Sequence, residues 1–169
     1  MLAHSPIEAP ITGDEDLGDL SRPQQALAQF YRAFNTGDLA LMSASWEPSD
    51  EAAMDNPLGG ITRGWPQIRA VYERIFRSPA RVRVEFHDYT LHVSDAIFYA
   101  VGRERGRYET RQGPLDLAIR TTRIFRRVDG RWRQVHHHGS MDDPARLAAY
   151  QSAIRAESNM EEHHDAGKN

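Results

Sequence analysis

The sequence predicts an α+β fold: a cone in which N-terminal helices pack on a strongly curved antiparallel sheet, with a last helix near the C-terminal end. Three observations carry this prediction. Apolar residues recur at helical spacing through the first half of the chain, and from Ala80 the period changes to two. Within that second half the alternation switches parity at His87-Asp88, which implies a β-bulge and therefore a sharply bent strand.

Residues 1–20 mix Pro, Gly and acidic residues without periodicity and are expected to form a mobile leader; one domain then covers 21–156, and 157–169 form a polar, flexible tail. The first helix is expected to start at Ser21, which with Gln24 has the spacing of a capping box, and Pro23 suits the first turn. Leu27, Phe30, Tyr31 and Phe34 make its apolar stripe, and Gly37 ends it. Asp38 caps a short second helix that carries Leu39, Met42 and Trp46 on one face, up to Pro48. Glu51 to Thr62 is a short strand, a break at Asn56-Pro57 and two glycines, and a return. A third helix follows Gly64, burying Ile68, Val71, Tyr72 and Ile75, and closes at Ser78-Pro79.

The sheet begins with Val82, Val84 and Phe86, and beyond the bulge Tyr89, Leu91 and Val93 continue it. Ser94-Asp95 turns into a second strand over 96–108, and Gln112-Gly113-Pro114 turns into a hairpin, Leu115 to Ser140, hinged on Asp129-Gly130. Four long antiparallel strands in meander order result. Asp142 or Asp143 caps the last helix, with Pro144 in its first turn and Leu147, Tyr150 and Ile154 along one side. A bent sheet under helices leaves a conical hollow, a usual place for a ligand. Apolar residues lie on both parities of the second strand, Ile97, Tyr99 and Val101 against Phe98 and Ala100. Helices cover one face only, so the other is expected to be buried in a homodimer or a higher oligomer.

A net charge of −3 provides no electrostatic footprint for nucleic acid or an acidic membrane. There is no cysteine, which removes disulfides and thiolate chemistry. No apolar run approaches the ~20 residues of a membrane span, and the first residues lack the pattern of a signal peptide, so the cytoplasm is the expected compartment. Without a glycine-rich phosphate loop, nucleophile elbow or nucleotide fingerprint, no cofactor is expected.

Phe30-Tyr31-Arg32-Ala33-Phe34-Asn35-Thr36-Gly37-Asp38 and Asp55-Asn56-Pro57-Leu58-Gly59, followed by Gly64 and Ile68, resemble in order and spacing the nuclear-transport-factor-2-like superfamily, which includes ketosteroid isomerases, scytalone dehydratase and SnoaL-like cyclases. The resemblance covers about residues 24–155. The hairpin, with Thr122-Arg123-Ile124-Phe125, Asp129-Gly130-Arg131-Trp132 and Val135 to Ser140, resembles the association domain of calcium/calmodulin-dependent kinases. That resemblance implies a deep pocket with strand arginines for carboxylates. Two of these fall on Arg103 and Arg123, and the third falls on Gly139. It argues against steroid isomerisation, because the proton-moving carboxylate falls on Asn56, with Asp55 one place off, and the oxyanion-hole tyrosine falls on Phe30, with Tyr31 one place off.

The candidate site follows. Arg123 and Arg103 share parity with apolar neighbours, so each needs a buried partner: either a ligand carboxylate or an internal acid such as Asp55 or Glu104. His137 lies on the opposite face from His136 and His138 and is a candidate proton shuttle; the alternative is a core imidazole bonded to a strand neighbour. Asp55 would assist His137 or bond backbone amides beside Asn56-Pro57. His136 and His138 share a face but lack an evident third ligand, so no metal is expected. Tyr31, Trp46 and Tyr99 are candidates for the ligand wall, with core packing as the alternative. The expected function is binding of a small, partly apolar, carboxylate-like molecule; the alternative is a cofactor-free dehydratase or isomerase with His137 and Asp55 as catalytic pair.

Overall fold

A computed structural model describes residues 5–111 and 113–166, with backbone alone from 157 onward. Four helices, α1 (Pro23–Thr36), α2 (Leu39–Ser45), α3 (Trp65–Arg77) and α4 (Pro144–Ala166), accompany six strands. These are β1 (Ala53–Asp55), β2 (Thr62–Arg63), β3 (Arg81–Val93), β4 (Ile97–Thr110), β5 (Gly113–Val128) and β6 (Arg131–Ser140). The sheet order is β2-β1-β6-β5-β4-β3, so the four long strands form the expected meander and β1 adds in parallel to β6. The α+β cone is the observed fold, with a curved, open sheet.

The bend has the predicted cause. The β3–β4 register shifts between His87 and Thr90, and Asp88 takes a positive φ of 49°. The bulge keeps Phe86 and Tyr89 both on the concave side, where they stack. Opposite it, a Cβ on Gly102 would come within 2.6 Å of the Tyr89 Cβ and 2.8 Å of the His87 carbonyl oxygen, so only glycine lets the strands close here. Asp129 and Gly130 both take positive φ, as a two-residue hairpin turn of this twist requires. Gly37 ends α1 in the left-handed region, and the Asp38 side chain accepts the Leu41 N–H at the start of α2.

Several expectations are corrected. Ser21 does not cap α1: the helix begins at Pro23, Arg22 precedes it without a side-chain cap, and the Ser21 hydroxyl donates to Asp19. The leader is not loose over its described part. Ile7 and Ile11 donate their backbone N–H groups to Tyr89 and Phe86 along the outer edge of β3, Ile11 is buried, and Arg32 bonds the carbonyls of Gly13 and Glu15. Two isolated isoleucines and polar bonds from Arg32 and Asn35 hold this strap, and anchors so scattered leave no periodic trace. At the other end, α4 runs on to Ala166, through residues without Pro or Gly. Residues 1–4 of the leader, 167–169 of the tail, and Gln112 of the turn before Gly113 lie outside the described residues.

The concave face is packed solid at one end. There Phe98 stacks on Phe125 with centroids 4.5 Å apart, and Trp132 meets Phe98 edge-on. At the other end, around Leu117, Ile119 and Tyr108, the helices stand off the sheet and a cavity opens.

Candidate functional site

The cavity measures about 530 Å³, within the usual range for small-molecule sites. Its walls are mostly apolar: Phe30 and Phe34 from α1, Val71 and Ile75 from α3, Leu117 and Ile119 from β5. α4 closes one side with Tyr150 and Ile154, and Tyr150 meets Tyr108 edge-on at 5.4 Å. Gln151 holds this helix in place by donating to the Leu58 carbonyl.

A polar floor lies where the cavity meets the packed end. Arg123, 1% exposed, points inward, and each of its nitrogens has a protein partner. Nη2 lies 2.6 Å from Glu104 Oε1, Nη1 donates to Gln134 Oε1 at 2.8 Å, and Nε donates to the Tyr31 hydroxyl at 3.1 Å. Tyr31 in turn donates to Glu104 Oε1 at 2.9 Å. The guanidinium carbon lies 3.6 Å from the centre of the Phe30 ring, a cation–π contact. Burial pushes the Tyr31 phenol well above its usual range, an effect that Arg123 opposes, so it remains a donor. Of the two partners considered for Arg123, the internal acid Glu104 is therefore the one present. The guanidinium is inward, but its charge is already answered.

His137 stands directly across from Arg123 in the β5–β6 pairing and also lines the cavity. It is 7% exposed, and neither ring nitrogen has a hydrogen-bond partner in the protein. Burial first, then the Arg123 cation and the flanking histidines, push its pKa well below the usual imidazole range, so the ring is neutral at physiological pH. A neutral imidazole offers one donor and one acceptor, and here both are unused by the protein.

Other expected site residues lie elsewhere. Asp55 does not meet His137. The parallel register sets Met54 beside His137 and Asp55 beside His138, and Asp55 Oδ2 lies 3.4 Å from His138 Nδ1 on the convex face. Asn56, one residue on, lines the cavity, as strand alternation requires. Arg103 is on the convex face too, half-exposed and paired with Asp142 at 3.5 Å. Tyr99 is exposed there and stacks on His92 at 4.5 Å. Trp46 is fully buried against Trp65 and Tyr72 and belongs to the core. Tyr31 lies under the floor rather than in the wall. Gly139, where the third arginine would fall, is buried with Pro57 and Ile119 each 3.2 Å from a would-be Cβ. No third ligand joins His136 and His138 among the described residues.

Gln134 was invisible to strict alternation, which sets it on the opposite face from His137. The β5–β6 register shifts between Ile124 and Phe125, leaving Val135 as the extra residue, so Gln134 and His137 both point inward. Glu104 was one of the two acids the sequence offered as an internal partner for Arg123, and the structure selects it over Asp55; the apolar Tyr99 and Val101 had drawn attention to the other parity of β4.

Helices over an open, bent sheet, with a lined cavity between them, define a nuclear-transport-factor-2-like cone protein. A family model described as a SnoaL-like domain matches residues 24–144, and the chain belongs to that family. Among solved structures, the chain resembles a protein from Thiobacillus denitrificans named for a calcium/calmodulin-dependent protein kinase type II association domain, with 25% identity, 74% of this chain and 98% of that one covered, and a TM-score of 0.62. It also resembles a Streptomyces avermitilis protein designated a dehydratase of the NTF2-like family, with 19% identity, coverage of 72% and 94%, and a TM-score of 0.64. A second association-domain structure, from Xanthomonas campestris, covers 85% of this chain and 99% of its own at 16% identity, with a TM-score of 0.60. A search of the curated proteins found no match. Among the described residues, no helix is long and apolar enough to cross a membrane.

Proposed function

We propose that this protein binds a small, partly apolar molecule in the cavity, with a hydrogen-bonding group of the ligand against His137. One observation carries this proposal: a buried, neutral imidazole lies on the cavity wall with both ring nitrogens unpartnered. Leaving a buried polar group unsatisfied costs about 1–3 kcal/mol, and a carbonyl or hydroxyl entering the cavity would recover that. Glu104 neutralises Arg123, so the floor favours a neutral polar end over a bare carboxylate. The exposed Ile97, Tyr99 and Val101 support the further proposal that the convex face is covered in a homodimer.

A second function, cofactor-independent dehydratase or isomerase chemistry, draws support from the same unengaged imidazole, which has the form a proton-transfer group needs. The likeness to a protein designated a dehydratase supports the fold and not the reaction, at 19% identity. Asp55 is engaged with His138, so such chemistry would fall to His137 without the carboxylate expected beside it. Binding is therefore the better supported function.

Fluorescence titration with the neutral dye N-phenylnaphthylamine tests it. The wild type should bind and be stabilised against heat, while Leu117→Trp, which fills the cavity, should abolish both effects. Absence of binding by the wild type, or undiminished binding by Leu117→Trp, would contradict the proposal.

A further inference from the structure

The chain has a second polar zone on the cavity, at its mouth. Arg74 and Arg77, three residues apart on α3, both line the cavity on its exposed side, and Thr62 and Ser78 also line it. Both arginines are exposed, and neither makes an ion pair with an acid among the described residues. Their neighbour Arg69 differs: it is paired with Glu73 along the helix. Arginines near a helix C-terminus also complement its dipole, but that role does not require them to face a cavity. Of the charged groups lining this space among the described residues, Glu104 and Arg123 answer each other, and Arg74 and Arg77 have no acidic partner.

We infer that the cavity takes an amphiphilic anion in one orientation, its anionic group held between Arg74 and Arg77 at the mouth and its neutral polar end on His137 at the floor. This rests on the cavity being a ligand site and specifies the ligand class: a largely apolar skeleton separating a carboxylate, sulfate or phosphate from a carbonyl or hydroxyl. The charge stays where water still reaches it, so little desolvation opposes binding. The apolar skeleton crosses the lipophilic middle, between Val71, Ile75, Leu117 and Ile119. The anion-binding role then belongs to α3 and not to the strand arginines.

Two dyes of similar shape separate the charge from the skeleton: anilinonaphthalene sulfonate and neutral N-phenylnaphthylamine. In the full chain carrying Arg74→Gln and Arg77→Gln, the dissociation constant of the sulfonate should rise about fivefold or more, as loss of two rim ion pairs implies. That of the neutral dye should change by less than about twofold, and added salt should weaken only the sulfonate in the wild type. Both substitutions are on exposed helical positions, and an unchanged circular dichroism spectrum and melting temperature would exclude misfolding. If both dyes bind, Leu117→Trp blocks both, and the double substitution leaves the sulfonate unaffected, the oriented-anion inference is overturned while the ligand cavity stands. If Leu117→Trp blocks neither, or neither dye binds, the cavity itself fails as the ligand site and the inference fails with it.

Discussion

Arg123 and Glu104 are 1% and 6% exposed at their side chains, and each would be an uncompensated buried charge without the other. Arg123→Ala should therefore destabilise the protein by about 3–5 kcal/mol in urea unfolding, whereas the pair replaced together by Met and Leu should recover most of it. A loss below about 1 kcal/mol for the single variant would contradict the buried pair. His137 makes a separate prediction. Its folded pKa lies below the unfolded one, so on acidification the unfolded chain takes up the proton first, and stability is lost as the pH falls below about 6.5. His137→Gln should flatten that acid limb by up to ~1.4 kcal/mol per pH unit; an unchanged slope would show that His137 titrates normally. The sequence disclosed that Arg123 needed a buried partner and that His137 was set apart from its neighbours. It did not disclose which acid would answer the arginine, because Glu104 lies 19 residues before it on the neighbouring strand and is brought near only by β4–β5 pairing.

At the scale of elements, the legible features were those that break a period. The parity switch at His87-Asp88 and the Asp129-Gly130 turn both lie where the sequence sets them. The second bulge, at Val135, left no such mark: Val135, His137 and Gly139 alternate as smoothly as a regular strand would. The same local ambiguity misplaced Arg103 and Tyr99, because β4 is apolar on both faces and only the helices decide which face is inside. The bend at the first bulge depends on Gly102. Gly102→Ala should cost about 1–3 kcal/mol, since the new methyl group meets backbone as well as side chain. Equilibrium unfolding would measure it, and a neutral substitution would mean that the strands can part there without strain.

For the whole molecule, apolar surface remains on the convex face at Ile97, Tyr99 and Val101, each at least 40% exposed. Such a patch on a sheet face is characteristic of an interface. Sedimentation at micromolar concentration should find a dimer, and Val101→Glu, a charge in the middle of that patch, should convert it to a folded monomer. A wild-type monomer would remove the dimer proposal while leaving the cone and its cavity intact. Fold class was readable because helical and strand periods occupy separate halves of the chain, whereas the site depends on contacts between distant strands that no local pattern records.

The proposed binding depends on a neutral, unengaged imidazole that faces the cavity. It is tested most directly by ring-nitrogen NMR of the histidines, with His137→Gln to assign the signal, across about pH 5–8 with and without N-phenylnaphthylamine. One imidazole should remain neutral at pH values where solvated imidazoles have taken up a proton, and its signal should shift when the dye is added. A His137 signal that titrates near 6.5 like a solvated imidazole, or one indifferent to the dye while the dye is bound, would contradict it.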